Sequence, residues 1–354
     1  MILRTLDWAF IIEKLILIAI VVSASLVIAM YATYAERKVA AVMQDRRGPN
    51  RAGPFGLLQP LADGMKLFFK EEIIPNSSNK FLFIMGPALA MLTAMMTSAV
   101  VPWGNKLEIF GTTVSLQIAG INIGILYVFG VVSLGVYGIM IGGWASNNKF
   151  SLLAALRGAS QVISYELAMG LSLIALLMMT GSLSLKTIVE EQMKGGWGGI
   201  LGWNIWYQPL GFLIFFVCAM AECNRAPFDL PEAESELNMG YHQEYSSMKL
   251  GFYLFSEYIN MFISCAIITT LFFGGYDMPF IDESSLSVNM AALIGIVAFM
   301  AKIFFFIFVF MWIRWTLPRF RYDQLMNLGW KGLIPLALAN MLITGAVILA
   351  RQGF

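Results

Sequence analysis

Long apolar runs recur along this chain, and they constrain its fold more than any other feature of the sequence. A membrane-spanning helix needs about 20 mostly apolar residues. The segments that meet this length are 11–34, 81–101, 118–142, 161–181, 205–222, 248–273, 289–313 and 332–350. Only 13% of the 354 residues are charged, against about 25% in soluble domains. The sequence therefore predicts an all-α integral membrane protein, a single polytopic domain over residues 1–354 with about eight transmembrane helices.

Lysine and arginine are distributed unevenly between the predicted loops. Of the 23 basic residues, 16 lie in the loops after spans one, three, five and seven when Lys249, at the edge of the sixth span, is counted with its loop; 5 lie in the opposite loops and tails, and 2 lie inside spans. Basic residues accumulate in cytoplasmic loops, so loops 35–80 and 223–247 are predicted to be cytoplasmic. Both termini are then expected on the outer side. The N-terminal apolar run is longer than that of a signal peptide and is interpreted as a retained first span.

The segment LLQPLADGMKLFFKEE in the first cytoplasmic loop combines an apolar face with a polar face. Leu57, Leu61, Met65, Phe68 and Phe69 recur at steps of three and four residues, or side by side. This spacing predicts an amphipathic helix that lies on the membrane surface. A plain surface anchor explains the pattern equally well.

Composition argues against several classes of function. The net charge is +1, so no basic face indicates a nucleic-acid partner. The cysteines, Cys218, Cys223 and Cys265, lie in or beside apolar runs and have neither the number nor the spacing of an iron–sulfur or zinc site. His242 is the single histidine and cannot form a metal site alone. No metal site and no redox centre are expected in this chain.

Ionisable side chains also occur inside the predicted spans, at Glu13, Glu166, Glu257 and Lys302. Each costs about 2.5–3.5 kcal/mol to insert at the centre of a helix. Glu13 and Glu257 lie closer to helix ends, where the side chain can reach the interface. Glu166 and Lys302 lie deeper, and two interpretations stay open for them: a buried pair or polar contact, or a proton or ion relay.

The stretch AECNRAPFDLPEAESELNMGYHQE, residues 221–244, brings several carboxylates to a predicted membrane boundary. These acids alternate with apolar residues such as Phe228, Leu230 and Leu237, whereas an ordinary charge run is a solvated face. Pro231 suits the first position of a helix, where Glu232 gains from the helix dipole. Clustered carboxylates in poor solvent cannot all ionise together. The pattern therefore predicts an acidic funnel that faces the cytoplasm and keeps some carboxyl groups protonated.

Long motifs in this chain resemble one known family. They are ERKVAAVMQDRRGPNRAGPFGLLQPLADGMKLFFKE, GGWASNNKFSLLAALRGASQVISYE, AECNRAPFDLPEAESELNMGYHQEY and WIRWTLPRFRYDQLMNLGWKGLIPLAL. They are similar to the quinone-tunnel membrane subunit of respiratory complex I, which occurs in both bacteria and mitochondria. The resemblance runs from about residue 30 to the C-terminus. Asp45 and the insert VEEQMKGGWGGILGWNIWYQ depart from it, and the insert is expected on the outer face.

The resemblance implies a chain that forms most of the tunnel through which a quinone, ubiquinone or menaquinone, leaves the bilayer. The tunnel residues that carry over are Glu36, Arg37, Arg46, Asp63, Arg225, Phe228, Asp229, Glu232 and Glu234. The proton-path residues that carry over are Tyr165, Glu166, Glu222, Asp229, Glu236, Glu244 and Glu257. NADH, FMN and iron–sulfur clusters are then expected only on partner subunits of complex I. The expected partners are the quinone-site and terminal-cluster subunits of the hydrophilic arm, small membrane subunits, antiporter-like subunits and membrane lipids. The expected location is a bacterial inner membrane.

Other functions remain open at this point. The equivalent component of a membrane-bound hydrogenase would share the superfamily but have a tunnel without quinone. An ion-coupled transporter would show paired, broken helices in corresponding halves, which the sequence does not display. A purely structural anchor would leave Glu166 unexplained.

Overall fold

The computed structural model describes residues 8–109, 112–195, 199–232, 234–279 and 287–352. Within these ranges, seven helices are long and apolar enough to cross a membrane, and the apolar helix Pro209–Glu222 is shorter. The predicted fold class is confirmed: the protein is an all-α multi-pass membrane protein.

In the described part of the chain, helices follow one another, and a short hairpin lies between α3 and α4. The first half contains α1 (Trp8–Met43), α2 (Gln59–Phe69), α3 (Lys80–Thr97), β1 (Lys106–Ile109), β2 (Thr112–Ser115), α4 (Gly124–Ala145), α5 (Lys149–Thr180) and α6 (Leu185–Met193). The second half contains α7 (Asn204–Tyr207), α8 (Pro209–Glu222), α9 (Glu234–Leu237), α10 (Ser247–Phe272), α11 (Val288–Thr316), α12 (Tyr322–Asn327) and α13 (Ile334–Gln352). A π-helical turn, Leu328–Leu333, joins α12 to α13.

Helix α5 begins earlier than the apolar pattern predicts, at Lys149 rather than at residue 161. The Asn148 side chain caps this end by accepting a hydrogen bond from the Phe150 backbone N–H at 3.0 Å. A helix of 32 residues is about 48 Å long, which exceeds the hydrocarbon thickness of about 30 Å. The first turns of α5, with Lys149 and Arg157, therefore extend beyond the apolar layer, and the hydropathy pattern did not register them as helix.

Residues 118–123, predicted as the start of the third span, precede α4 instead. The chain first forms an antiparallel hairpin in which Lys106 pairs with Ser115 and Ile109 with Thr112. Asn289 fixes the hairpin to α11, because its side chain accepts from the Glu108 N–H at 2.8 Å and donates to the Glu108 carbonyl at 3.0 Å. Strands of four residues leave too short a pattern for the sequence to reveal.

The fifth predicted span is broken at Gln208, between α7 and α8. The Gln208 side chain donates to Thr344 Oγ1 at 2.7 Å and accepts from Asn340 Nδ2 at 2.9 Å, so α13 covers the break. The 14 residues of α8 rise about 21 Å. Since the hydrocarbon layer is about 30 Å thick, α8 alone is too short to cross it.

Helix α10 is the central helix, with 78% of its most apolar window buried. The Lys302 ammonium closes its C-terminal end by donating to the carbonyls of Phe273, Gly275 and Asp277 at 2.8, 3.0 and 2.6 Å. It also lies 4.7 Å from the centre of the Trp203 ring. Lys302 therefore forms a polar contact with backbone, and the possibility that it pairs with Glu166 is wrong.

The predicted amphipathic helix is present as α2. It packs against α1 and α10, and Leu61, Met65, Phe68 and Phe69 nevertheless remain exposed. Exposed apolar side chains in such a row mark a contact surface for lipid or protein.

Candidate functional site

The acidic segment, residues 222–246, is fixed to α5 by uncharged contacts in addition to the Arg157–Glu236 ion pair. The Gln161 side-chain amide donates to the Ala221 carbonyl at 2.8 Å and to the Phe228 carbonyl at 2.7 Å. Gly158 leaves room for Pro231, since a Cβ atom at this glycine would lie 2.7 Å from the proline Cγ. The segment is therefore packed against the helices, as its alternation of acidic and apolar residues predicts.

A buried charge cluster joins this segment to α1 and α11. The Arg225 guanidinium donates to Glu36 Oε2 at 2.7 Å, and Arg314 forms an ion pair with Oε1 of the same carboxylate. Tyr258 donates to Glu36 Oε2 at 2.8 Å, and its ring lies 3.8 Å from the Arg225 guanidinium carbon. Burial opposes the charged form of Arg225, but Tyr258 and Glu36 hold its pKa above the usual range. In this cluster, two positively charged guanidinium groups thus share one carboxylate.

Asp229 lies in the same segment and forms an ion pair with Arg319. Burial raises the pKa of Asp229 to about 6, the neighbouring Glu232 adds to the rise, and Arg319 opposes it. Asp229 Oδ1 is buried and has no hydrogen-bond partner. This carboxyl group can therefore exchange a proton close to neutral pH.

Glu222 and Glu257 line one internal cavity of about 40 Å³. Its other polar lining includes Thr93, Thr97, Asn224, Tyr241, Ser256 and Asn260. A cavity needs about 10–15 Å³ of such volume to hold one water molecule, so this one has room for about three. Tyr241 donates to Glu257 Oε1 at 3.2 Å. Burial and Glu257 raise the pKa of Tyr241 above its usual range, which keeps its hydroxyl a donor.

Glu166 lies on a different face of α5 from its neighbour Tyr165. Its carboxylate accepts a hydrogen bond from the Ser133 hydroxyl of α4, and it lines a surface groove with Phe129, Ile163 and Gly170. Tyr165 is buried, and its hydroxyl donates to the Leu325 carbonyl at 3.0 Å. Its ring packs edge-on against Phe228 at 5.4 Å between centroids. The structure therefore connects Tyr165 to the acidic segment through packing and not to Glu166 through a hydrogen bond.

The remaining candidate residues lie around this centre in polar pairs. Arg37 pairs with Asp63 at 2.8 Å, which joins α1 to α2. Arg46 is exposed and donates to Gln44 at 2.7 Å. The other pairs are Glu236 with Arg157 at 2.7 Å and Glu244 with Asn148 at 2.8 Å. Glu234 begins α9, and its side chain lies outside the described part of the structure.

Some residues of the centre were missed at the sequence level. Arg314 and Arg319 were counted only as positive charges of a cytoplasmic loop, and Tyr258 and Tyr241 were not singled out. Tyr258 directly follows Glu257 in the sequence, so its position beside an ionisable residue in a predicted span could have marked it as a candidate. Nothing in the sequence places Arg314 beside Glu36, which lies far away in the chain.

Metal-binding groups are absent from the part of the chain that the structure describes: no three His, Cys, Asp or Glu side chains come together there in a suitable cluster. Cys218, Cys223 and Cys265 are free and buried, as in apolar packing. The candidate site thus consists of carboxylates, arginines and tyrosines.

Comparison with known proteins identifies the family. A family model described as NADH dehydrogenase matches residues 15–345. An NADH-quinone oxidoreductase subunit of Cytophaga hutchinsonii is 65% identical over 96% of this chain and 98% of its own length. The like-named protein of Flavobacterium johnsoniae is 63% identical over 97% of each chain, and that of Geobacter sulfurreducens is 50% identical over 90% of each. The chain therefore belongs to the NADH dehydrogenase family, as a membrane component of the NADH-quinone oxidoreductase complex.

Proposed function

We propose that this chain forms the quinone-access tunnel of a proton-pumping NADH:quinone oxidoreductase and couples quinone reduction to proton translocation. One observation carries the proposal: the buried cluster of Glu36, Arg225 and Arg314 adjoins an internal cavity that Glu222 and Glu257 line. A site for redox chemistry and a route for protons thus share one segment of the chain.

The entrance of the proposed tunnel lies at α1 and α2. The Arg37–Asp63 ion pair holds α2 against α1, and the exposed apolar side chains of α2 suit the interface between lipid and water. A quinone has a long apolar tail and a polar head group, so it needs both kinds of surface. The residues proposed to line its path are Glu36, Arg37, Arg46, Asp63, Arg225, Phe228, Asp229, Glu232 and Glu234.

Quinone reduction to quinol takes up two electrons and two protons, and this uptake changes the charge beside the acidic segment. The positive cluster around Glu36 stabilises negative charge that develops next to it. Asp229, whose pKa is about 6, can give up or regain a proton near neutral pH. Glu257 and Glu222 then continue the path along the cavity, and Glu166 takes it to the groove on the far side of α5. The other residues of the proposed proton path, at its edges, are Tyr165, Glu236 and Glu244.

Other features of the proposal concern the assembly. The expected location is a bacterial inner membrane, with both termini on the periplasmic side. Partners are the other subunits of the complex, which hold NADH, FMN and the iron–sulfur clusters, together with membrane lipids. The quinone is ubiquinone or menaquinone.

Substitution of the cavity carboxylates tests the proton path. In the purified complex, we expect Glu222→Gln and Glu257→Gln to lower NADH-driven quinone reduction and proton uptake into vesicles together, at least tenfold, while the complex remains assembled. Glutamine keeps the volume of the side chain but cannot carry a proton between sites. Glu190→Gln, in a pair with Lys186 on α6, serves as the control. Wild-type coupled turnover in both cavity variants would refute the proposed path.

A hydrogenase-type complex is the alternative that shares this architecture. It predicts no quinone reductase activity in the isolated assembly, whatever the donor. Quinone reduction by NADH, inhibited by quinone-site ligands, separates the two functions. The transporter alternative predicts ion flux by this chain without its partner subunits.

A further inference from the structure

Tyr241 connects the acidic segment to a carboxylate inside the helix bundle. Its hydroxyl donates to Glu257 Oε1 at 3.2 Å. The tyrosine is 1% exposed and the glutamate 8% exposed, so water does not compete for this bond at the protein surface. Tyr241 lies in the acidic segment, whereas Glu257 lies on α10.

The ring of Tyr241 has little freedom to move independently of its backbone. It packs edge-on against Tyr253, with centroids 4.9 Å apart, and against His242 at 5.0 Å. Its backbone N–H donates to the Pro231 carbonyl at 3.3 Å. Gly240, just before it, has φ +73°, and a Cβ atom there would lie 1.8 Å from the same Pro231 oxygen. The fold of the acidic segment therefore decides where the hydroxyl lies.

The other end of the hydrogen bond lies on the cavity. Glu257, Glu222 and Tyr241 all line it. The other charged and titratable groups around Glu257 are Glu222, Cys223 and Tyr253 on the cavity, Arg225, Asp229 and Glu232 of the acidic segment, and Arg314 of α11. Tyr241 donates the hydrogen bond that fixes one carboxyl oxygen of Glu257.

We propose that Tyr241 is a positioning residue, which holds the Glu257 carboxyl group on the cavity and makes its orientation depend on the conformation of the acidic segment. The inference rests on the role of Glu257 proposed above and assigns a residue to it that the sequence did not indicate. A shift of the segment during quinone reduction would move the hydroxyl and change how readily Glu257 exchanges its proton.

A purely structural role for the hydroxyl is the competing explanation, and Tyr245 provides a matched control. Tyr245 belongs to the same aromatic cluster, stacked on Phe83 at 4.1 Å. Its hydroxyl is also buried but donates to the carbonyls of Phe83 and Gly142, each at 3.2 Å. Tyr245→Phe therefore removes a buried hydroxyl from this cluster without touching a carboxylate.

The experiment compares Tyr241→Phe, Tyr245→Phe and Glu257→Gln in the assembled complex. Two readouts are measured: the pH profile of coupled quinone reduction and the infrared band of protonated carboxyl groups in redox difference spectra. Loss of a donor disfavours the charged carboxylate, so Tyr241→Phe should move the midpoint of the pH profile to higher pH by roughly half a unit to one unit. It should also shift the carboxyl band that disappears in Glu257→Gln. The quinone KM should stay unchanged, because Tyr241 is buried on the cavity and is not one of the proposed tunnel residues.

Distinct outcomes separate this inference from the function on which it rests. Unchanged profile and band in Tyr241→Phe, with impaired turnover in Glu257→Gln, would overturn the positioning role alone. An equal pH shift in Tyr245→Phe would also overturn it, because packing would then explain the effect. Full coupled turnover in Glu257→Gln would count against the proposed proton path itself.

Discussion

Glu36 accepts contacts from two guanidinium groups and one hydroxyl in a site where it is 5% exposed. Within the cluster of Glu36, Arg225 and Arg314, one carboxylate faces two guanidinium groups, so these three residues carry an excess positive charge. Burial makes this charge more effective, since electrostatic energies grow as the local dielectric constant falls. The stacked Tyr258 ring adds a cation–π contact that a lysine at position 225 would not reproduce in the same geometry. The excess positive charge favours anionic species next to the acidic segment.

Asp229 leads to a prediction about pH at this same scale. With its pKa raised to about 6 by burial, the ionised fraction falls from nearly complete at pH 7.5 to about a quarter at pH 5.5. Protonation removes the negative partner of Arg319, so we expect quinone reductase activity to decline through this range. The free energy of unfolding moves the other way, because a raised carboxyl pKa contributes stability that is complete below the ordinary value of 3.8 and is lost as the pH rises to about 6.

The measurement is the ratio of activities at pH 5.5 and 7.5. Asp229→Asn should bring this ratio close to one at whatever activity remains, since asparagine does not titrate. Asp323→Asn, in an exposed pair with Arg321 at 2.5 Å, should leave the wild-type ratio in place. If Asp229→Asn kept the wild-type ratio of activities, a group other than Asp229 would control the decline of activity at acidic pH.

At the scale of elements, glycines set the distances of α4 from its two neighbours α3 and α10. A Cβ atom at Gly138 would lie 2.9 Å from the Ala90 backbone nitrogen, and one at Gly142 would lie 1.9 Å from the Tyr253 hydroxyl oxygen. Small residues let membrane helices approach closely. The sequence showed that glycines occur in apolar runs, but it could not show which of them face a neighbouring helix. It placed α2 correctly because its period is strong, and it missed the hairpin because four-residue strands carry almost no pattern.

Gly142→Ala tests this contact. The added methyl group overlaps the Tyr253 hydroxyl, and overpacking of this kind costs about 1–3 kcal/mol. We expect a lower melting temperature of the complex and several-fold less assembled protein in membranes. Gly130→Ala is the control on the same helix, because no atom lies within 4 Å of its Cβ position. Adding Tyr253→Phe to Gly142→Ala should restore part of the loss, and absence of any rescue would contradict the assigned clash.

At the scale of the whole molecule, the number of apolar segments and their order were predictable from hydropathy, because a bilayer requires about 20 apolar residues for each span. The extensions of α1 and α5 beyond the apolar layer were not predictable, since charged residues hide helix that continues into water. The charge cluster was predictable only in part. The sequence marked Glu36 and Arg225 through their motifs, but the contact with Arg314 depends on how three helices pack.

Orientation across the membrane gives the last prediction. Cysteine introduced at Lys106, in the hairpin, should react with a membrane-impermeant maleimide in right-side-out spheroplasts. Cysteine introduced at Arg51 should react only after permeabilisation, because the loop 35–80 carries the excess of basic residues. The native cysteines are at most 1% exposed, so background labelling should be low. The reverse labelling pattern would invert the predicted topology.

The position of Lys302 has a consequence for the leakage of protons from the proposed path. An amine with three donor hydrogens is an ammonium ion, and three carbonyls accept from it. This ammonium, which lies next to the Asp277 carboxyl group, is about 13 residues along α10 from the cavity residue Asn260, a rise of roughly 20 Å. Positive charge repels hydronium, as in channels that exclude protons. On the proton path proposed above, an ammonium at the far end of α10 would therefore oppose the movement of a proton along this helix.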